Sequence, residues 1–136
     1  SDKPIVLLAS GTGFAPVKAL IEQLQKTGST RPVVLYWGGR RPRDLYMDGW
    51  VQERLAELPQ LRYIPVVSDA LPEDAWSGRT GFVHQAVIDQ YLKKHEAPED
   101  IEFYFCGPPM MNAAVLKMVD DWGVPKENVS FDDFGG

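Results

Sequence analysis

Ile5-Val6-Leu7-Leu8-Ala9-Ser10-Gly11-Thr12-Gly13-Phe14-Ala15-Pro16 is the stretch whose reading decides the fold. Four consecutive aliphatic residues at 5–8 show no polar alternation, the pattern of a central parallel strand covered on both faces. Gly11 and Gly13 can take positive φ and carry no side chain to hold a ligand away. Pro16 suits the first turn of a helix, where its missing N–H costs nothing. Val17, Leu20, Ile21 and Leu24 then recur at helical spacing and commit one face to the sheet. Strand, glycine turn and helix N-terminus together form a site for a phosphate anion, because free N–H groups and the positive helix end converge there. The usual dinucleotide fingerprint is not met, since Pro16 stands where the third glycine belongs. No acidic residue follows about 20 positions on.

Working outward, Val33–Trp37 predicts a second strand, and Gly38-Gly39-Arg40-Arg41-Pro42-Arg43 leaves its carboxyl end on the same rim as Gly11–Gly13. Asp48 is expected to cap a helix running to about Leu58, with Val51, Leu55 and Leu58 inward. Leu61–Val67 reads as a third strand, and Pro65, which lacks a ladder donor, suggests an edge. Ser68-Asp69 ends that strand on the rim. Residues 70–79 form a long loop in which Trp76 is either a stacking surface for a ligand ring or packing for its own loop. A helix is expected from about Thr80 to Lys94, a fourth strand over Glu102–Cys106, and a turn at Gly107-Pro108-Pro109. Next come a strongly periodic helix carrying Met111, Ala114, Val115, Met118, Val119 and Trp122, and a fifth strand over Asn128–Asp133. The methionines are expected in the core. The alternation predicts one α/β domain over 1–136, a doubly wound five-stranded parallel sheet in the order 3-2-1-4-5 with helices on both faces. In that order the Gly11–Gly13 and Cys106–Pro109 turns flank one crevice at the switch point.

Composition narrows the function. Nineteen acidic against fourteen basic residues, with no dense basic cluster, argue against nucleic acid. No apolar run approaches the length that spans a bilayer, and no basic-then-apolar leader opens the chain. A single cysteine, Cys106, excludes an internal disulfide, a C-x-x-C pair and a cysteine-ligated iron–sulfur cluster within this segment. His84 and His95 lack metal-ligand spacing, so no metal site is expected.

Five motifs in order resemble the NAD(P)H-binding domain of the ferredoxin–NADP reductase-type flavoenzyme family: Ser10–Pro16, Tyr36-Trp37-Gly38-Gly39-Arg40, Gly78-Arg79-Thr80-Gly81-Phe82-Val83, Cys106-Gly107-Pro108-Pro109-Met110-Met111 and the terminal aromatic Phe134. The first half is most similar to soluble bacterial NADH-dependent flavin and iron–sulfur reductases. From Asp74 onward the chain looks like the F subunit of the sodium-translocating NADH:quinone reductase. The resemblance implies a domain that binds NADH and presents it for hydride transfer to FAD held by a separate or upstream domain, feeding an iron–sulfur centre or quinone. It implies cofactor contacts from Ser10, Gly11, Thr12, Gly13, Pro16, Gly38, Arg40, Ser68, Asp69, Trp76, Cys106, Gly107, Pro108, Pro109 and Met111. Cys106 and Phe134 are the residues it places in the reaction, Cys106 beside the nicotinamide and Phe134 over the flavin. Asp69 would accept a ribose 2′-hydroxyl and repel a 2′-phosphate, so NADH is expected over NADPH, although Arg40, Arg41 and Arg43 form a cluster that could welcome a phosphate. No Arg-x-Tyr-Ser flavin motif occurs, so the flavin is expected on a partner domain and the chain alone is expected to be inactive. The implied setting is cytoplasmic, or the cytoplasmic face of the inner membrane within a quinone reductase complex. Two other readings stay open: a flavodoxin-like FMN carrier and a non-catalytic nucleotide-sensing domain.

Overall fold

The computed structural model describes residues 3–10, 14–94 and 97–133. Its centre is β1 (Ile5–Ser10), whose first five residues are buried. Leu7 and Leu8 are both fully enclosed, one on each face, and each such burial contributes about 1.5–3 kcal/mol. Around it lie β2 (Val33–Gly39), β3 (Leu61–Val67), β4 (Arg79–Thr80), β5 (Glu102–Gly107) and β6 (Val129–Asp133), all parallel, in the order β4-β3-β2-β1-β5-β6. Five of these are the expected strands in the expected order. The sixth, β4, is a two-residue strand inside the stretch where the sequence suggests loop and helix. It pairs through Val66↔Arg79 and Val67↔Thr80, and so covers the end of β3.

Strand alternation divides the interior. Val6, Leu8, Tyr36, Phe103 and Phe105 face one way, onto α3 (Val83–Gln90) and α4 (Pro109–Asp121). Ile5, Leu7, Ala9, Leu35 and Trp37 face the other way, onto α1 (Phe14–Lys26) and α2 (Asp48–Glu57). The connections leaving β1 and β5 therefore run to opposite faces, although these strands are neighbours with Ala9 opposite Cys106. That is the switch point of a doubly wound sheet, where ligands bind outside the carboxyl ends of the strands.

Four local expectations change. Asp48 is the first residue of α2, not its cap, because its carboxylate accepts the Tyr63 hydroxyl at 2.9 Å instead of an N-terminal N–H. Burial and that hydrogen bond push the Tyr63 phenol well above its usual range. Pro65 does not make β3 the outermost strand, but β4 covers only Val66 and Val67, so the proline lies on the stretch that is still an edge. The helix expected from Thr80 to Lys94 is shorter. It begins at Val83 after Gly81 at φ +99°, and ends at Gln90 before a single 3-10 turn at Leu92–Lys94. Among the methionines, Met118 is core, Met111 is half-buried and Met110 is 87 % exposed.

Candidate functional site

A cleft of about 880 Å³ opens at the carboxyl rim of the sheet. Its floor is the ends of three strands: Ser10 of β1, Gly38 and Gly39 of β2, and Ser68 just past β3. Its walls are the first turns of α3 and α4, with Phe82, Val83 and His84 on one side and Pro108, Met110 and Met111 on the other. Arg40, Arg43, Asp44 and Tyr46 close it from the loop after β2. Neither α3 nor α4 has a side-chain cap on its N-terminus, so two positive helix ends face the same space.

Local packing shapes this rim. Gly38 is buried, and a Cβ there would lie 2.8 Å from Val83 Cγ2, so the glycine lets α3 close onto the strand ends. Gly107 sits under Met111 in the same way, with a Cβ meeting Met111 Cε at 2.7 Å. The turn after β5 is held from below: buried Asn112 donates through Nδ2 to the Gly107 carbonyl at 3.1 Å. The β2 end is extended by rungs from Ser68 N to Gly39 O (3.0 Å) and from Asp69 N to Arg40 O (2.8 Å). Gly38 and Gly39, expected in the loop leaving β2, are therefore strand. The Asp44 carboxylate then accepts the N–H groups of Arg40 (3.1 Å) and Arg41 (3.0 Å) and folds the loop back.

The three loop arginines have different surroundings. Arg41 makes a two-pronged pair with Asp74 at 2.7 Å on each prong. That pair and the Leu71 N–H hold the Asp74 carboxyl at about 2. Arg40 meets Asp69 at 3.3 Å with both side chains mostly exposed, and Ser68 Oγ also donates to Asp69. Arg43 has no ion-pair partner among the described residues and lines the cleft.

Of the residues implied by resemblance, Ser10, Gly38, Arg40, Ser68, Pro108 and Met111 line one cleft. Asp69 stands beside it, tied to Arg40. Pro16, in the first turn of α1, and Pro109, first in α4, do not line it. Trp76 is a correction: its Nε1 donates to Arg79 O at 2.9 Å, its ring lies against Gly78, and it packs onto the α1/α2 face. It is packing for its own loop. Cys106 is fully buried and does not line the cleft, because strand alternation turns it away from Phe105 and toward the α1 face. Gly11, Thr12, Gly13, His95 and Phe134 lie outside the described residues. Phe82, His84, Tyr46 and Met110 line the cleft without having been assigned a role from sequence. The exposure of Phe82 (65 %) and Met110 (87 %) is the signal that marks them, and it is visible only in the fold. Among the described residues no three His, Cys, Asp or Glu converge as metal ligands.

These features define a class: a doubly wound α/β domain with a nucleotide-sized, largely apolar cleft at its switch point, bordered by Arg40 and Arg43. The chain belongs to the oxidoreductase NAD-binding domain family, whose description matches residues 7–117. It is 43% identical over 137 aligned positions to the F subunit of the Na(+)-translocating NADH-quinone reductase of Klebsiella pneumoniae subsp. pneumoniae, an alignment covering 100% of this chain and 34% of that protein. Among solved structures, an Amycolatopsis cytochrome P450 reductase superposes with a TM-score of 0.84 at 29% identity, covering 98% of this chain and 38% of its own. The ferredoxin reductase in carbazole 1,9a-dioxygenase gives 0.81 at 28%, with the same coverage. The chain spans about a third of the length of the curated relatives it matches.

Proposed function

We propose that residues 1–136 form the NADH-binding domain of a flavin-dependent reductase, and that its cleft grips the adenosine and pyrophosphate end of the nucleotide. The observation that carries this is the cleft itself: two uncapped helix ends, Arg43 without an ion-pair partner among the described residues, and exposed apolar Phe82 and Met110 meet at the switch point of a family member. Phosphates suit the helix ends and arginines. A flat base suits Phe82 and Met110. A volume of about 880 Å³ falls within the range of cofactor sites, roughly 300–1,000 Å³.

Bound nicotinamide supplies a hydride; the chain's part is to orient it. Cys106 lies at the junction of β1 and β5, in register with Ala9, and packs beneath the reacting ring as a positioning residue. Asp69 accepts the ribose 2′-hydroxyl and disfavours a 2′-phosphate, making NADH the preferred nucleotide. FAD resides on a partner domain, and electrons pass on to an iron–sulfur centre or quinone. Of the candidate settings, the cytoplasmic side of the inner membrane suits the likeness to a quinone reductase component; no described helix is long and apolar enough to cross a membrane.

The test is NADH oxidation with ferricyanide as acceptor. The chain alone should bind NADH weakly and remain at background, because nothing in it replaces the flavin acceptor. Fusion of a matching flavin domain before Ser1 should raise turnover. Robust turnover by the flavin-free chain would overturn the reading.

A further inference from the structure

His84 occupies the first turn of α3 and lines the cleft, yet its ring nitrogens meet no hydrogen-bond or ion-pair partner among the described residues. Its ring lies nearly parallel to that of Phe82, 6.2 Å away. A half-buried imidazole with unmet nitrogens, facing a nucleotide-sized space, is set to bind something that enters it.

The charges around it settle what that is. From the loop after β2 come Arg40, Arg43 and Asp44. Asp44 is occupied by two backbone N–H groups, and Arg43 has no ion-pair partner among the described residues. Beyond β3 comes Asp69, held by Arg40. The acid on its own helix, Asp89, is paired with Arg79 and Lys93. From α4 the lining residues carry no charge: Pro108, Met110, Met111 and Ala114. Among the described residues no carboxylate pairs with His84, two arginines line the same cleft, and the N-terminus of its own helix disfavours an imidazolium. An entering anion would reverse that balance.

We propose that His84 is a proton-coupled ligand for the nucleotide's phosphates, neutral in the empty cleft and protonated as the pyrophosphate enters. The inference rests on the cleft being the nucleotide site. Burial lowers the His84 pKa from its usual value, so the empty cleft holds the neutral ring near neutral pH. A phosphate oxygen within hydrogen-bond reach favours the charged ring and raises that pKa. Between the two pKa values, binding takes up a proton and affinity rises as pH falls. Above both, the coupling vanishes.

The experiment is isothermal titration of the 136-residue chain with NAD⁺, whose pyrophosphate carries its full charge throughout the neutral range, in pairs of buffers with different ionisation enthalpies. The expected result is proton uptake near pH ~6.5 and about a fivefold gain in affinity from pH ~8 to pH ~6. His84→Gln should abolish the uptake and the pH slope. His84→Lys, a permanent cation, should keep the affinity but lose the slope. Circular dichroism confirms that each variant is folded. Binding without buffer dependence, or a slope that survives in His84→Gln, overturns the His84 proposal and leaves the nucleotide site standing. Absence of any binding overturns both.

Discussion

At the carboxyl ends of β2 and β3 the surface is polar and exposed, whereas the last paired residues of β1 and β5 are apolar and buried. On the first side Arg40 and Asp69 meet at 3.3 Å with side chains 83% and 60% exposed. Such a pair adds little to stability, so its charges are free to serve recognition. On the second side Ala9 and Cys106 are fully buried, and Gly107 lies under Met111 with its carbonyl clamped by Asn112. No atom there can change without repacking. In the proposed reading the first half tells nucleotides apart by charge and the second holds the reacting ring in place.

The sharpest way to break that division is at Cys106. Cys106→Ala should slow hydride transfer to a supplied flavin domain by about tenfold or more, because a misplaced reacting centre is costly. Its NADH affinity should stay within about twofold. Stopped-flow flavin reduction at saturating NADH reads the first and calorimetry the second. An unchanged rate would return Cys106 to packing.

Asp69→Arg should act on the other half alone. Replacing a carboxylate by a guanidinium at the proposed ribose site should shift the preference toward NADPH by about tenfold, with thermal stability unchanged. Competitive calorimetry measures the ratio. Equal affinity for both nucleotides in the unaltered chain would remove Asp69 from specificity.

Gly38 lies at the seam of the two halves. Gly38→Ala puts a methyl against Val83, a stiff β-branched residue, and should destabilise by about 1 kcal/mol, the low end for overpacking. Urea unfolding shows it as a lower midpoint with an unchanged slope. The same substitution should weaken nucleotide binding by displacing the first turn of α3.

The smallest effect belongs to the more enclosed counterpart of the Arg40–Asp69 pair. Arg41 and Asp74 tie the loop after β2 to residues 70–79, and their pairing depresses the Asp74 carboxyl to about 2. A depressed carboxyl stabilises above its unfolded pKa of about 4 and loses that contribution as pH falls from about 4 toward about 2. Amide exchange in residues 70–79, corrected for its intrinsic pH dependence, should therefore quicken severalfold across that window and hold constant near neutral pH. In Asp74→Asn it should already be fast at neutral pH and insensitive to acid. An acid dependence that persists in the variant would assign the loop's stability to another group.

How far the fold can be read in advance depends on the range of the interactions. β1, β3 and α1 were legible because unbroken apolar runs and 3.6-residue periods are local, and a parallel α/β chain has few ways to order its strands. β4 leaves no local signal because two residues carry no period; it exists because β3 has an open edge for them to cover. Asp48 looked like a cap until the Tyr63 hydroxyl, fifteen residues away, claimed its carboxylate.

The sequence alone determined the sheet order, the rim of the sheet at which the cleft opens and part of the set of residues that line that cleft, since strand ends and glycines mark that rim in a parallel fold. Only the tertiary structure decided which loops meet across it. Trp76 is turned to the far face, Arg41 is bound to Asp74 while Arg43 faces the cleft, and Phe82 and His84 border it. Each outcome depends on contacts between side chains distant in the chain, whose competition for space and charge no local pattern records.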